Sequence, residues 1–194
     1  MNCNNKNTGK YIMVPMYLQE SVEKQSFSEI VIQLIKYVLH VRGQIPFNYD
    51  TFCCLVNKSK DKYDGNIKPN NVLATRRYKI CEAILRSLNN LFQNLRVALM
   101  KDFEHIHQIS IILGGTPVTA KEVYDICRNS CLSADVCNTK YNSRYFFNQI
   151  LSSLMKSQQL QQLLTKTLPI TNVYILIKKS KHNLEQEEHF FINI

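Results

Sequence analysis

Ile111-Ile112-Leu113-Gly114-Gly115-Thr116-Pro117-Val118-Thr119-Ala120-Lys121-Glu122-Val123-Tyr124-Asp125-Ile126 is the stretch that defines the sheet most clearly. It continues an apolar run from Ile106, in which every second side chain can face a core. Gly114-Gly115 predicts a turn, and residues 123–126 predict a second strand, hairpin-paired with the first. Pro117 has no N–H to offer a phosphate, so the turn does not resemble a phosphate-binding loop.

The first helix should be buried in the middle of the domain. Ser26 and Glu29 have the spacing of a capping box, which predicts where the helix begins. Two adjacent apolar stripes follow at helical spacing, and together they cover much of the helix circumference. These stripes are Ile30, Leu34 and Val38, beside Val31, Ile35 and Leu39. Gly43 is suited to the position just after the helix.

The next part of the chain predicts a short segment, a loop and a long helix. Residues 49–56 are interpreted as the short helical segment, and the polar run 57–71 as a flexible loop. Residues 73–101 have the longest helical periodicity in the chain. Its predicted inward stripe is Ile80, Ile84, Leu88, Leu91, Leu95 and Leu99.

A third helix begins near Ser143, and its apolar phase slips at residues 157–159, which predicts a break. Residues 173–177 are apolar on both faces and should form a central strand. Residues 11–18 predict an edge strand, because Pro15 cannot donate to a ladder. The order of these elements predicts the α+β class, with three helices on a small, mainly antiparallel sheet.

The 194 residues have the size of a single domain, which we predict over residues 10–194 after a disordered tail at 1–9. The formal net charge of +9 favours an acidic partner surface and leaves a nucleic-acid-binding domain as an alternative. Seven cysteines without a CxxC pair predict a reducing compartment. No apolar run is long enough for a membrane helix, so we expect no membrane partner.

Residues suited to catalysis or metal binding are sparse. His105 and His107, with Cys127, Cys131 and Cys137, offer zinc-ligand types, but without the close pairs typical of structural zinc sites. Surface histidines and buried free cysteines are the favoured interpretation. No carboxylate pair lies in an apolar stretch, so we expect neither an enzyme nor a cofactor.

The third helix carries three consecutive aromatic residues, Tyr145, Phe146 and Phe147. Neighbours on a helix are about 100° apart, so the three rings cannot all face one core. At least one should point outward, either at the margin of a broad buried face or as an aromatic anchor for another protein.

Two stretches resemble the comet proteins, a family of HORMA-domain proteins that antagonise the spindle-checkpoint protein Mad-two. One is Tyr37-Val38-Leu39-His40-Val41-Arg42-Gly43-Gln44-Ile45-Pro46, similar to the end of the first HORMA helix. The other is residues 111–126, with the Gly-Gly turn and the Lys-Glu-x-Tyr segment. Met13-Val14-Pro15 resembles the entry strand of the family, and the order agrees from about Met13 to Phe191.

This resemblance implies a HORMA fold and a non-enzymatic adaptor that is monomeric alone. The adaptor would bind closed Mad-two, present it to the pachytene-checkpoint AAA+ ATPase, and so disassemble the checkpoint complex. The expected location is nucleus and cytoplasm, with spindle or kinetochores in mitosis. The alternative function within the same fold is that of a different HORMA protein, one that captures a partner peptide.

The site residues that the resemblance implies lie mainly on the third helix. The interface phenylalanine of the family falls on Phe147, or on Phe146 if the register shifts by one. Its neighbours would be Arg144, Asn148, Leu151 and Leu154. The interface glutamine of the family falls on Val41, where a hydrogen bond is lost.

The C-terminal part departs from the family. Phe190 and Phe191 resemble an aromatic pair that precedes the ATPase contacts, and they are the expected ATPase-contacting positions here. Only three residues follow this pair, so the C-terminal safety-belt hairpin of HORMA domains is expected to be absent or truncated.

Overall fold

The computed structural model describes residues 22–63, 72–127, 142–179 and 188–192, together with Ile12 and Val14. Residues 61–63 and 188–192 are described by their backbone. The helices are α1 Lys24–Val41, α2 Tyr49–Tyr63, α3 Val72–Lys101, α4 Ser143–Lys156 and α5 Gln158–Leu164. The strands are β1 Ile106–Gly114, β2 Ala120–Cys127, β3 Asn172–Lys179 and β4 Glu188–Ile192.

The four strands form one antiparallel sheet in the order β2-β1-β3-β4. The predicted hairpin of β1 and β2 is confirmed, with Ile111 opposite Tyr124. On its other side β1 pairs with β3, where Ile111 lies opposite Ile175. The prediction of a central strand at 173–177 is therefore also confirmed, because β3 lies between β1 and β4.

The core lies between this sheet and the helices. Ile109, Ile111 and Leu113 of β1 are buried, and they pack with fully buried side chains of α1 and α3. α1 lies in the middle, in contact with α2, α3 and α4, as its two apolar stripes predict. The α+β class, with helices on an antiparallel sheet, is confirmed.

The end of α1 was predicted correctly and its beginning was not. Gly43 has a φ of 65°, and the N–H groups of Gly43 and Gln44 donate to the carbonyls of His40 (3.0 Å) and Leu39 (2.8 Å). This is the Schellman arrangement. The helix begins at Lys24, two residues before the predicted capping box, so that prediction is wrong. Glu29 contacts α4 instead.

The predicted loop at 57–71 is wrong in its first part, because α2 continues to Tyr63. Lysines are good helix formers, and the first helix breakers downstream are Gly65 and Pro69. The rest of the loop, 64–71, lies outside the described residues.

The long helix α3 is confirmed, with a correction to its inward stripe. Ile80 was predicted to face the core, but 53 % of it is exposed. Each step of four residues turns about 40° past a full helical turn, so the stripe traced back from Leu88 through Ile84 leaves the core at Ile80. Tyr78 and Leu85 are buried on the core side instead.

Near the C-terminal end the structure has a strand that the sequence did not predict, and at the N-terminal end the predicted strand lies mostly outside the described residues. Strand β4 was not predicted, because its residues stand alone after a polar run. In the predicted strand 11–18, Ile12 and Val14 lie in neither helix nor strand; its other residues and the predicted tail 1–9 lie outside the described residues. The expected absence of a safety-belt hairpin stays a prediction.

Candidate protein-binding surface

Helix α4 is fixed at both ends by polar side chains. The Asn142 side chain accepts a hydrogen bond from the Arg144 N–H at 3.2 Å, and so caps the helix. The Ser143 hydroxyl donates to the Glu29 carboxylate of α1 at 2.5 Å. At the other end Ser157 is extended, and its hydroxyl caps α5. The predicted break near residues 157–159 is therefore confirmed.

One face of α4 is buried against α1. Phe146 and Ile150 are 3 % and 5 % exposed, and they pack with Ile30 and Leu34. Phe146 was considered as an interface residue in case the register shifted by one. The Phe146 ring packs against α1 in the core, so Phe147 is the one of the two phenylalanines that reaches solvent. The choice of the interface residue stays a prediction.

Phe147 lies beside this buried face and is half-buried. Its ring packs against the cluster of Ile30, Leu34, Phe146 and Ile150 while part of it stays in solvent. The sequence predicts that at least one of the three aromatic rings points outward. Two of them reach solvent, because Phe147 is half-buried and Tyr145 is 44 % exposed. Tyr145 and Phe147 are two positions apart and project from different sides of the helix.

The other residues predicted on α4 share a face with Phe147. Leu151 and Leu154 stand four and seven positions after it and are half-buried, whereas Arg144 and Asn148 are exposed. Met155 was missed: it stands eight positions after Phe147 and is 62 % exposed. The i, i+4, i+8 spacing of Phe147, Leu151 and Met155 was the signal that could have revealed it. The face is therefore an apolar strip with polar neighbours.

Val41 is placed away from Phe147. The contact between Glu29 and Ser143 joins the second turn of α1 to the first residue of α4. Arg42, just after α1, contacts the carbonyls of Leu164, the last residue of α5, and of Lys166. Val41 lies about 18 Å along α1 from Glu29, whereas Phe147 lies only about 6 Å along α4 from Ser143. Along their helices, the two predicted contacts therefore differ by about 12 Å in their distance from the contact of Glu29 with Ser143.

A buried ion pair joins the two stretches that carry the family resemblance. The guanidinium of Arg42 donates to both carboxylate oxygens of Glu122, at 2.8 and 2.5 Å. It also donates to the carbonyls of Leu164 (3.2 Å) and Lys166 (2.9 Å). The side chains of Arg42 and Glu122 are only 2 % and 13 % exposed. This cluster, called the Arg42 clamp below, connects the ends of α1 and α5 to strand β2.

Two further side chains complete the surroundings of the Arg42 clamp. The Tyr124 hydroxyl donates to Glu122 at 2.7 Å; burial raises the pKa of this phenol, and the hydrogen bond raises it further. Gln44 is buried; its amide donates to the Arg42 carbonyl at 2.9 Å and accepts from the Thr171 N–H at 2.8 Å. The sequence contained these residues but gave no indication that Arg42 pairs with a carboxylate 80 positions away.

Among the described residues no group of three or more His, Cys, Asp or Glu side chains could hold a metal ion. His105, His107 and Cys127 are exposed, which corrects the expectation that Cys127 is buried. Cys131 and Cys137 lie outside the described residues. In the same described part of the chain, no helix is long and apolar enough to cross a membrane.

A family model for p31comet, described as Mad1 and Cdc20-bound-Mad2 binding, matches residues 2–187. The chain belongs to the p31comet family. This confirms the resemblance drawn from residues 37–46 and 111–126. The description of the p31comet family names binding partners.

A relative from Mus musculus, the MAD2L1-binding protein, is 24 % identical over 114 residues. That match covers 59 % of this chain and 41 % of the mouse protein. The chain therefore matches less than half of the length of this p31comet-type relative.

Proposed function

We propose that this chain is a non-enzymatic adaptor that binds the closed conformer of Mad2 through the exposed strip of α4. The central contact would be Phe147, with Leu151, Leu154 and Met155 around it. The family description, which names Cdc20-bound Mad2, supports the choice of partner. The observation that carries the proposal is the half-buried Phe147 ring beside the contact of α1 and α4.

The composition of this surface fits a protein interface. Such interfaces have an apolar centre and a polar rim, and aromatic, methionine and arginine residues are enriched in them. The α4 strip has an apolar centre, and Arg144 and Asn148 supply the polar neighbours. The Phe147 ring is already held on one side by its packing, so little conformational entropy is lost when a partner covers the other side.

The strip on α4 alone is smaller than a stable interface needs. A helix of 14 residues is about 21 Å long, and a standard interface buries about 800 Å² on each partner. We therefore include the end of α1 at Val41, which is partly exposed. A valine at this position contributes apolar contact and no hydrogen bond, so we expect this end of the interface to be apolar.

The second part of the proposal is the coupling to the pachytene-checkpoint AAA+ ATPase and, through it, checkpoint silencing and mitotic exit. The aromatic pair Phe190 and Phe191 is our choice for the ATPase-contacting region. β4 holds the backbone of this pair beside Ile175 and Tyr174 of β3. The same proposal makes the chain a monomer alone, present in nucleus and cytoplasm and at spindle or kinetochores in mitosis.

The test is size-exclusion chromatography of the protein with Mad2 locked closed and, separately, locked open. We expect co-elution with the closed form only. Phe147→Ala should weaken binding by about 2–4 kcal/mol, roughly 30- to 900-fold in Kd by calorimetry. Adding the ATPase and ATP to the closed complex should release Mad2.

Tyr145→Ala is the matched control, because it removes an aromatic ring that projects from a different side of α4. It should leave the Kd within about twofold of the wild-type value. Thermal melting of both variants checks the fold. Phe147→Ala should cost less stability than the loss of about 3–5 kcal/mol that is typical when a fully buried phenylalanine is replaced by alanine. Equal binding of open and closed Mad2, or an unchanged Kd for Phe147→Ala, would refute the proposal.

A further inference from the structure

The first three turns of α3 carry a second exposed surface that is separate from α4. Val72 and Ile80 are 79 % and 53 % exposed. With Ala83 they form the apolar part of a shallow, open pocket of about 500 Å³. The pocket is completed by Thr75, Arg76 and Lys79. Its volume lies within the range of sites that accept small ligands or single side chains.

This surface is not needed to hold the fold together. Positions 72, 76, 79 and 83 are three or four residues apart, so they lie on one face of α3. Tyr78, Leu85 and Leu88, which face the core, fix the opposite side of the helix. α1 packs against both α3 and α4, and the pocket and the proposed Mad2-binding strip lie on different helices.

Positive charge lies beside the pocket, and among the described residues no carboxylate pairs with it. α3 carries Arg76, Arg77, Lys79, Arg86, Arg96 and Lys101, but its one acidic residue is Glu82. Glu82 lies 3.5 Å from Arg86, four positions further along the helix. Within the described parts of the chain, Arg76, Arg77 and Lys79 make no ion pair. Their charge is therefore available to a ligand.

We infer that this pocket binds an acidic peptide segment of another protein, with one apolar side chain of that segment inserted between Val72, Ile80 and Ala83. Arg76 and Lys79 border the apolar surface on the same helix face, so carboxylates one helical turn on either side of the inserted residue can reach them. Apolar contact would anchor the segment, and the cations would select its charge.

The lining of the pocket favours a peptide over a nucleic acid. Single-stranded nucleic acid is bound by aromatic rings on which bases stack, along a positively charged groove. None of the six described residues that line the pocket is aromatic, and the nearby Tyr78 is buried in the core. The cations also cluster within about two turns of one helix, which is short for a nucleic-acid track.

The test is fluorescence anisotropy with the whole chain and a labelled 12-residue peptide that carries four glutamates around a central leucine. We expect saturable binding. The double variant Arg76→Glu with Lys79→Glu should weaken it at least tenfold, and Ile80→Ser at least threefold. Arg96→Glu is the matched control, an exposed cation on the same helix outside the pocket, and should change the Kd less than twofold.

Two further probes complete the test. A peptide with serine in place of leucine should bind at least threefold more weakly, and a 12-nucleotide single strand should bind more weakly than the acidic peptide. Binding of Mad2 should be unchanged by the double variant, which separates this inference from the proposed function. The inference is overturned if Arg96→Glu weakens peptide binding as much as the double variant, or if the single strand binds more tightly than the peptide.

Discussion

At the scale of single residues, Phe146 and Phe147 show how one step along a helix changes the role of a side chain. Phe146 is 3 % exposed and packs with Ile30 and Leu34, whereas Phe147 is half-buried at the border of that cluster. A turn of about 100° between neighbours explains the difference. Sequence patterns of apolar residues cannot separate the two, because both are phenylalanines next to the same apolar stripe.

Gly114 and Gly115 are neighbours with different tolerance for a side chain. A Cβ at Gly114 would lie 2.7 Å from the Thr119 carbonyl oxygen and 2.8 Å from the Ala120 Cα. Both atoms belong to the backbone of the paired strand region, so the hairpin must shift. We expect Gly114→Ala to lower the free energy of unfolding by about 1–3 kcal/mol, measured by urea denaturation.

Gly115→Ala is the control for this prediction. The nearest contact of its Cβ would be 3.4 Å, to the Thr119 hydroxyl oxygen, and that is a side chain able to rotate. Its effect should stay within about 0.5 kcal/mol, as for most surface substitutions. If both alanine variants cost the same, the close approach at Gly114 does not determine the stability of the hairpin.

At the scale of elements, the Arg42 clamp connects pieces that the sequence keeps far apart. Arg42 follows the last turn of α1. Its side chain reaches Glu122 in β2 and the carbonyls of Leu164, the last residue of α5, and of Lys166. Buried charges are costly unless each of their polar atoms finds a partner. The bidentate contact and the two carbonyls provide those partners, so the clamp fixes where α5 ends relative to α1.

Arg42→Ala should therefore lower the free energy of unfolding by about 3–5 kcal/mol, because it leaves the buried Glu122 carboxylate without its cationic partner. Arg86→Ala serves as the comparison, since the ion pair of Arg86 with Glu82 lies on the surface and is worth about 0.5 kcal/mol. Both values come from urea denaturation followed by circular dichroism. Equal losses for the two variants would show that the Arg42 clamp does not stabilise the fold.

Local pattern and long-range pairing explain which elements could be predicted. α3, the β1–β2 hairpin and the break at Ser157 depend on periodicity and turn residues within a few positions, and all three are confirmed. β4 depends on its neighbour β3 for its hydrogen bonds, and the residues of β4 alone do not indicate that this pairing occurs. The pairing of Arg42 with Glu122 is missed for the same reason.

The candidate site was predictable in part. The periodicity and the family resemblance placed Phe147, Leu151 and Leu154 on one helix, and the structure places them on one face of it. The separation of Val41 from Phe147 was not predictable, because it depends on the direction in which α1 and α4 run beside each other. One contact that joins the two helices, between Glu29 and Ser143, connects residues 114 positions apart.

At the scale of the whole molecule, the net charge of +9 is unevenly distributed. Six cations and one carboxylate lie on α3, whereas the α4 strip is mainly apolar. The two proposed surfaces therefore differ in salt dependence. Screening weakens contacts between exposed charges, so added salt should affect the pocket of α3 more than the strip of α4.

The position of β1 between β2 and β3 has a consequence for biosynthesis. The hairpin of β1 and β2 is complete at Cys127, but β3 begins only at Asn172. At 5–20 residues per second, the ribosome needs roughly 2–9 seconds to make the intervening residues. During that interval the second edge of β1 is exposed. Released chains that end before β3 should therefore sediment as aggregates more often than the full chain, and equal sedimentation would contradict this. The first partners available to such an unpaired strand would be other nascent copies of the same chain on one polysome.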